Sequence, residues 1–299
     1  MFQISARILY NKKTKKSYYE MALAAPQIAK SALPGQFVNI KVINGLEPLL
    51  RRPLSIHRIE KLQMADGKWQ NVIKILYEVI GKGTEILTQR KAGEYLDTVG
   101  PLGKSFDCDG HRNAECGRQI LVSGGMGSAP LVFLAETITA NSTLTLRRGQ
   151  ACRQAARKPL ILIGAKTKED ILCEKEFKDL GCEVKIATDD GSRGFQGHVS
   201  DLLESILRTT NDARRTILYA CGPTPMLKEI SRISKEHNIP AQVSLEAHMA
   251  CGIGACMGCV VKTKDEKRRT KGAAEYKRVC REGPVFEAGE IVWDNDAKS

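Results

Sequence analysis

A chain of 299 residues, 42% hydrophobic and 27% charged, has the make-up of a globular protein with room for two or three domain cores. Its 46 basic and 34 acidic residues leave a net charge of +12, which suits anionic cofactors or an acidic partner surface. With only 5% aromatic residues and no nucleic-acid motif, the charge does not read as a nucleic-acid module.

The first twenty residues carry Lys12, Lys13, Lys15 and Lys16 with no apolar run behind them, unlike a secretory leader. The most apolar run, 159–165, is too short to span a bilayer, so the expected location is cytoplasmic. In that compartment ten cysteines point to metal or redox chemistry rather than disulfides.

The first hundred residues read as all-β. Runs 2–10, 18–25, 36–42 and 72–80 are β-prone, and Pro34-Gly35, Asn44-Gly45, Asp66-Gly67 and residues 81–83 punctuate them. A small antiparallel barrel fits, and a sandwich fits the pattern almost as well. Arg51-Arg52-Pro53-Leu54-Ser55-Ile56 follows a strand, where an arginine beside a turn and a hydroxyl can hold a pyrophosphate and a flavin edge; taken alone it reads as a solvated basic turn. Gly81-Lys82-Gly83-Thr84 ends a strand and opens a helix, a second candidate phosphate cradle.

The period then changes. Strands at 119–123, 160–164, 184–188 and 216–220 alternate with helices at 129–137, 174–180, 198–207 and 225–237, which means βαβ units on a parallel sheet. The polar, basic stretch 141–157 reads as a long loop or insertion. Ser123-Gly124-Gly125-Met126-Gly127-Ser128-Ala129-Pro130 is a glycine turn feeding a helix and suits a dinucleotide pyrophosphate, although no acidic residue closes the second strand as a ribose reader. Cys221-Gly222-Pro223 ends a later strand, at the sheet edge where ligands bind. Cys221 there could face a nicotinamide or be a small buried residue. Asp189-Asp190-Gly191 could line the same cleft, and Lys166 and Lys168 leave NADP use open. The five histidines form no ligand spacing.

The tail holds the strongest signal. Cys251, Cys256, Cys259 and Cys280 have the C-x4-C-x2-C…C spacing of a plant-type [2Fe–2S] loop. Gly252, Gly254 and Gly258 would let the backbone approach and turn N–H groups toward the sulfurs. A zinc ribbon would need a second C-x2-C knuckle. The tail is too small for a core of its own, and a cluster would staple it. Lys262, Lys264, Lys267, Arg268, Arg269, Lys271, Lys277, Arg278 and Arg281 make this region a positive docking surface or a solvated loop.

The order of these motifs resembles the ferredoxin–NADP reductase superfamily, a flavin-binding β-barrel followed by a nicotinamide-binding α/β domain. Arg52-Pro53-Leu54-Ser55 stands where that family has Arg-x-Tyr-Ser, with Leu54 in place of the tyrosine; Gly125-x-Gly127-x-x-Pro130 and Cys221-Gly222-Pro223 match its nicotinamide-side signatures. Within it, the chain more closely resembles the iron–sulfur electron-transfer subunits of NAD-dependent bacterial dihydroorotate dehydrogenase. The segments that carry this are 51–56, 81–84, 187–191, 219–223, Ser244-Leu245-Glu246, 249–259 and 276–280.

The resemblance implies a multidomain β plus α/β fold, divided as a 1–107 FAD barrel, a 108–243 NAD domain and a 244–299 cluster domain. It implies FAD contacts at Arg52 to Ser55, at Leu76, Tyr77 and Glu78, and at Gly83 and Thr84. It also implies a heterotetramer with two FMN-bearing catalytic subunits, in which electrons from dihydroorotate reach NAD through the cluster and FAD in pyrimidine biosynthesis. No acid–base residue for dihydroorotate is expected on this chain. The rival is a subunit of a ferredoxin-dependent NADPH oxidoreductase, whose first cluster ligand is typically aspartate where this chain has Cys251.

Overall fold

The computed structural model describes residues 1–63, 67–108, 118–147, 158–209, 216–264 and 274–293. The N-terminal part contains β1 (Phe2–Lys15), β2 (Tyr18–Ala24), α1 (Pro26–Ser31), β3 (Phe37–Ile40), β4 (Arg52–Ser55), β5 (Arg58–Gln63), β6 (Trp69–Glu78), α2 (Lys82–Thr88) and β7 (Tyr95–Leu102). The seven strands form one antiparallel sheet in the order β4-β3-β7-β1-β2-β6-β5. The sheet curls as a half-barrel around Ile8, Met21, Leu23, Ile40, Ile56 and Ile75, and α1 plugs it with Ile28.

The second part contains β8 (Arg118–Gly124), a 3-10 turn (Gly125–Gly127), α3 (Ser128–Arg147), β9 (Leu160–Ala165), α4 (Glu174–Asp179), β10 (Glu183–Thr188), β11 (Phe195–Gln196), α5 (Val199–Thr209), β12 (Thr216–Cys221), α6 (Thr224–Glu236) and β13 (Ala241–Ser244). β14 (Val260–Lys264), β15 (Ala274–Arg278) and β16 (Val285–Glu287) follow. The sheet order is β11-β10-β9-β8-β12-β13-β16, parallel except for the last pairing. Helices cover both faces, so the central strands are buried on both sides and read as unbroken apolar runs such as Leu160–Ala165.

Two departures from the sequence reading bear on the site. α3 continues through residues 141–147, where a loop was expected, because Leu144, Leu146 and Arg147 are good helix formers; residues 148–157 lie outside the described residues. And β16, from the C-terminal segment, is the seventh strand of the α/β sheet, with Val285 opposite Ser244 and Phe286 opposite Val243. The cluster loop therefore hangs between β13 and β16 and packs Cys259, Val279 and Cys280 into the same core as Leu218 and Leu227. Among the described residues no helix is long and apolar enough to cross a membrane.

Phe286 is 1% exposed and closes this core from the tail side. Phe286→Ala is expected to destabilise the protein by about 3–5 kcal/mol and to speed iron loss. Ile28→Ala in the half-barrel is expected to cost about 2–5 kcal/mol with iron retention unchanged. Urea unfolding and iron assays on the two variants check this.

Candidate functional site

On the flavin side, β4 lies antiparallel to β3, with Ser55 opposite Phe37 and Arg52 opposite Ile40. The two neighbouring arginines have different tasks. Arg51 is paired with Asp97 of β7 at 2.5 Å and donates to the Asp97 carbonyl at 2.9 Å, which locks it into the sheet. Arg52 has no acidic partner among the described residues. It donates to the Leu50 carbonyl at 2.6 Å and lies so close over α2 that a Cβ on Gly83 would overlap its guanidinium. Glycine at 83 is what lets the cation rest on the turn.

Thr84 is spent on that turn: its hydroxyl accepts from Ile80 N at 3.0 Å and donates to Gly81 O at 2.9 Å. What the pocket offers an anion is thus the Arg52 guanidinium and the backbone of 81–83. On β6, Tyr77 points into the half-barrel, 1% exposed, stacked on Tyr19 and donating to Asn11 at 3.0 Å. Strand alternation then puts Leu76 and Glu78 on the face toward the α/β unit, where Leu76 packs near Phe106 and Tyr219. Tyr77 can meet a ligand there only through its main chain.

On the nicotinamide side, the two signatures touch. β8 and β12 are parallel neighbours with Ser123 opposite Cys221, so the glycine turn and Cys221-Gly222-Pro223 leave the sheet at the same carboxyl edge. A Cβ on Gly127 would overlap the Cys221 carbonyl, and one on Gly222 would lie 2.6 Å from the Met226 methyl. Pro130 sits in the first turn of α3, where its missing N–H costs no helical bond. Cys221 is buried, and burial pushes its thiol up to about 12, with Glu246 alongside adding to the rise.

The loops after β9 and β10 join at this edge. Lys168 N donates to Ser192 Oγ at 2.8 Å, and Asp189 N to the Ala165 carbonyl at 3.1 Å. Asp190 serves its own turn by accepting from Ser192 N at 3.0 Å, and Asp189 faces His198 at 3.2 Å.

Glu246 enters the sequence reading only within the segment Ser244-Leu245-Glu246 that carries the resemblance, with no role at the site. Desolvation, and then the charge of Glu78, hold its carboxyl above the usual range. It follows β13 at the start of the cluster segment, exposed to solvent, with Glu78 of the half-barrel and Cys221 of β12 in its electrostatic field. The available signal was an acidic residue two positions after a short buried strand, at the carboxyl end of the sheet.

The cluster loop presents four thiols in two pairs. Cys256 N donates to Cys251 Sγ at 3.3 Å, and Cys280 N to Cys259 Sγ at 3.4 Å. Burial works against an anion at Cys251, but N–H groups of Cys256 and Ile253 outweigh it and bring that thiol down to about 6. Cys280 is pushed up to about 12 by burial and by the neighbouring Cys259 sulfur. Gly252 and Gly254 have φ of +67° and +82°, which glycine adopts without strain. Four soft donors, two buried and two half-exposed, with backbone N–H groups on the sulfurs, fit a two-iron cluster. The loop is tied to the barrel: Asn39 of β3, 1% exposed, donates to the Cys251 carbonyl at 3.0 Å. Arg278 braces the other side, donating to the Gly254 carbonyl at 2.6 Å while paired with Glu282 at 2.5 Å.

Three of the described basic residues of the tail are committed internally. Lys277 pairs with Glu290, Arg278 with Glu282, and Lys264 donates to the Gly289 carbonyl; Lys267, Arg268, Arg269 and Lys271 lie outside the described residues. The surface beside the half-exposed Cys251 and Cys256 is instead apolar, with Ile253 47% and Met257 58% exposed. A cleft of about 250 Å³ next to it is lined by Met1, Phe2, Gln3, Arg51, Val99, Cys251 and Ile253.

A half-barrel, a parallel nucleotide sheet and a terminal iron–sulfur segment in this order define a ferredoxin–NADP reductase-like electron-transfer flavoprotein. The solved structures agree. One described as an NADH-dependent reduced ferredoxin-NADP oxidoreductase superposes with a TM-score of 0.73 at 27% identity, over 97% of this chain and 90% of that one. A ferredoxin NADP+ reductase from Neisseria gonorrhoeae with bound FAD and NADP shares the fold with a TM-score of 0.57 at 17% identity, over 79% and 91%.

The family model "Iron-sulfur cluster binding domain of dihydroorotate dehydrogenase B" matches residues 246–292, and "Oxidoreductase NAD-binding domain" matches 121–232. The dihydroorotate dehydrogenase B (NAD(+)) electron transfer subunit of Desulforamulus reducens is 39% identical over 92% of this chain and 93% of its own length. That of Geobacillus sp. is 36% identical over 98% and 99%. The chain belongs to the family of dihydroorotate dehydrogenase B electron transfer subunits. Its cofactors are FAD and a [2Fe–2S] cluster, with NAD(H) as co-substrate.

Gly127→Ala must push the glycine turn away from Cys221. The expected result is a KM for NADH raised about tenfold or more, with iron and flavin content unchanged. Steady-state reduction of an artificial acceptor measures it, and an unchanged KM would contradict the packing.

Proposed function

We propose that this chain is the NAD-linked subunit of a dihydroorotate dehydrogenase, carrying electrons from an FMN-bearing catalytic partner to NAD. The observation that carries the reading is the contact of Asn39 with Cys251, which makes the flavin-side sheet and the cluster loop one wall. When bound, FAD would supply hydride exchange with the nicotinamide and the cluster would supply one-electron transfer. The chain's own residues hold and orient these groups.

Arg52 and the backbone at Gly83 and Thr84 take the FAD pyrophosphate, and Pro53, Leu54 and Ser55 line the flavin edge with Leu76, Glu78 and the main chain of Tyr77. Gly125, Gly127 and Pro130 bind the NAD pyrophosphate, while Cys221, Gly222 and Pro223 face the nicotinamide. Buried Cys221, held as a thiol, leaves that corner free of a competing thiolate. Cys251, Cys256, Cys259 and Cys280 ligate the iron.

The exposed apolar rim of Ile253 and Met257 beside Cys251 and Cys256 is the docking face for the partner. Two chains of each kind form the working complex, in the cytoplasm. The ferredoxin-linked reading has the structural likeness reported above in its favour. A thiol at position 251 and the relatives' identity over nearly the full chain favour the orotate reading.

Cys256→Ser is expected to lose the cluster's visible absorption together with iron and sulfide, since a hard oxygen is the poorer ligand. Arg52→Ala removes a charge-assisted contact of about 1.5–3 kcal/mol and is expected to weaken FAD retention about ten- to a hundredfold, read as flavin content after dialysis.

The division of labour is tested by assaying the purified chain with and without a co-expressed FMN subunit. Alone it is expected to reduce artificial acceptors with NADH and to leave dihydroorotate untouched. Dihydroorotate oxidation by the chain alone would overturn the assignment. No gain with the FMN subunit would favour the ferredoxin-linked reading.

A further inference from the structure

His57, Cys173 and Glu176 come from two different parts of the fold and converge at their junction. His57 lies between β4 and β5 of the half-barrel, two residues after Ser55. Cys173 immediately precedes α4 of the α/β unit, and Glu176 is in that helix's first turn. One ligand-type atom from each lies within 4.8 Å of the others. His57 and Cys173 are buried, and Glu176 is half-buried.

The hydrogen bonding leaves these three groups unspent. His57 Nδ1 sits 2.9 Å from the Ala129 carbonyl. A carbonyl can only accept, so Nδ1 carries the proton and Nε2 keeps its lone pair. A ring N–H fixed on a backbone carbonyl is the arrangement that orients metal-binding imidazoles. Among the described residues, neither the Cys173 thiol nor the Glu176 carboxylate has a hydrogen bond or ion pair. The cations in the field of this group are engaged elsewhere, Arg58 with Glu136 at 2.6 Å and Lys15 with the Ile171 carbonyl. Burial holds His57 neutral, and burial with Glu176 nearby holds Cys173 as a thiol.

One imidazole nitrogen, one sulfur and one carboxylate oxygen are the donor types zinc takes, and tetrahedral bond lengths of about 2.0–2.3 Å put donors about 3.3–3.8 Å apart. A closure of about 1 Å brings this set to that spacing. We propose that His57, Cys173 and Glu176 form a zinc-type divalent-metal site that clamps the flavin-binding half-barrel to the nucleotide-binding unit.

The fourth position falls to a water, and the Cys173 proton is released as the ion binds. The clamp sits behind the cofactor cleft: His57 follows the Arg52–Ser55 strand, and its carbonyl partner Ala129 precedes Pro130 of the glycine turn. Its task is structural, to fix the spacing of the two halves that hold FAD and NAD. It is separate from the four cysteines of the cluster loop.

The test is zinc analysis of the full chain, purified with its cluster and FAD and dialysed against micromolar zinc and then metal-free buffer. About one zinc per chain is expected, and Cys173→Ser, His57→Gln and Glu176→Gln are each expected to lose at least nine-tenths of it with iron and FAD contents unchanged. Because the two buried variants could fold poorly, zinc X-ray absorption on the unaltered protein gives an independent reading, expected to show one sulfur with nitrogen and oxygen neighbours. An unaltered protein that retains no zinc overturns the proposal. So does zinc that survives all three substitutions, or a zinc shell of several sulfurs, which would place the ion in the cluster loop.

Discussion

The side chain of Asn39 joins two parts of the chain that are 212 residues apart. Its amide N–H holds the Cys251 carbonyl from a strand whose neighbour carries Arg52 to Ser55, with Asn39 opposite Pro53 in the ladder. An asparagine that is 1% exposed has a large desolvation cost, so the bond to Cys251 fixes where the loop must lie. Gly252 follows from it, because a Cβ there would overlap the Asn39 amide. Among the described residues the Asn39 Oδ1 has no hydrogen-bond partner, an unusual state for a buried carbonyl oxygen where β3 meets the cluster loop.

Around that contact the three parts are interlocked rather than strung together. The tail returns to give the α/β sheet its last strand, which covers the β13 edge and anchors both ends of the cluster segment on one core. The half-barrel meets the α/β unit through Leu76, Phe106 and Tyr219, and through Lys16 paired with Asp170 at 2.5 Å. Electron transfer needs such rigidity, since rates depend on fixed separations and a chain with three independent bodies would not hold them. Among the described residues, Lys277 and Arg278 hold the cluster segment to its own acidic residues, and the apolar Ile253 and Met257 face out.

How far the sequence could be read follows from where each signal resides. The α/β strands and helices were legible to within one to three residues at most ends, because strands buried on both faces are uninterrupted apolar runs. β4, β5 and β7 were not, since partly exposed strands such as Arg58–Gln63 carry mixed polarity; β13 and β16 are too short to show a period. The cysteine spacing was legible because a cluster loop is a local constraint. The unequal roles of Arg51 and Arg52, the core position of Tyr77, the influence of Glu78 on Glu246 and the clasp of Asn39 depend on partners far along the chain, and spacing alone carries none of them.

The most direct measurement is electron paramagnetic resonance of the isolated, cofactor-loaded chain frozen at intervals after mixing with NADH. If the flavin-side strand and the cluster loop form one electron path, the signal of a reduced [2Fe–2S] centre grows in after flavin bleaching, and Asn39→Ala slows its growth while bleaching keeps its rate. A flavin that bleaches fully in excess NADH while the cluster stays oxidised would contradict that path.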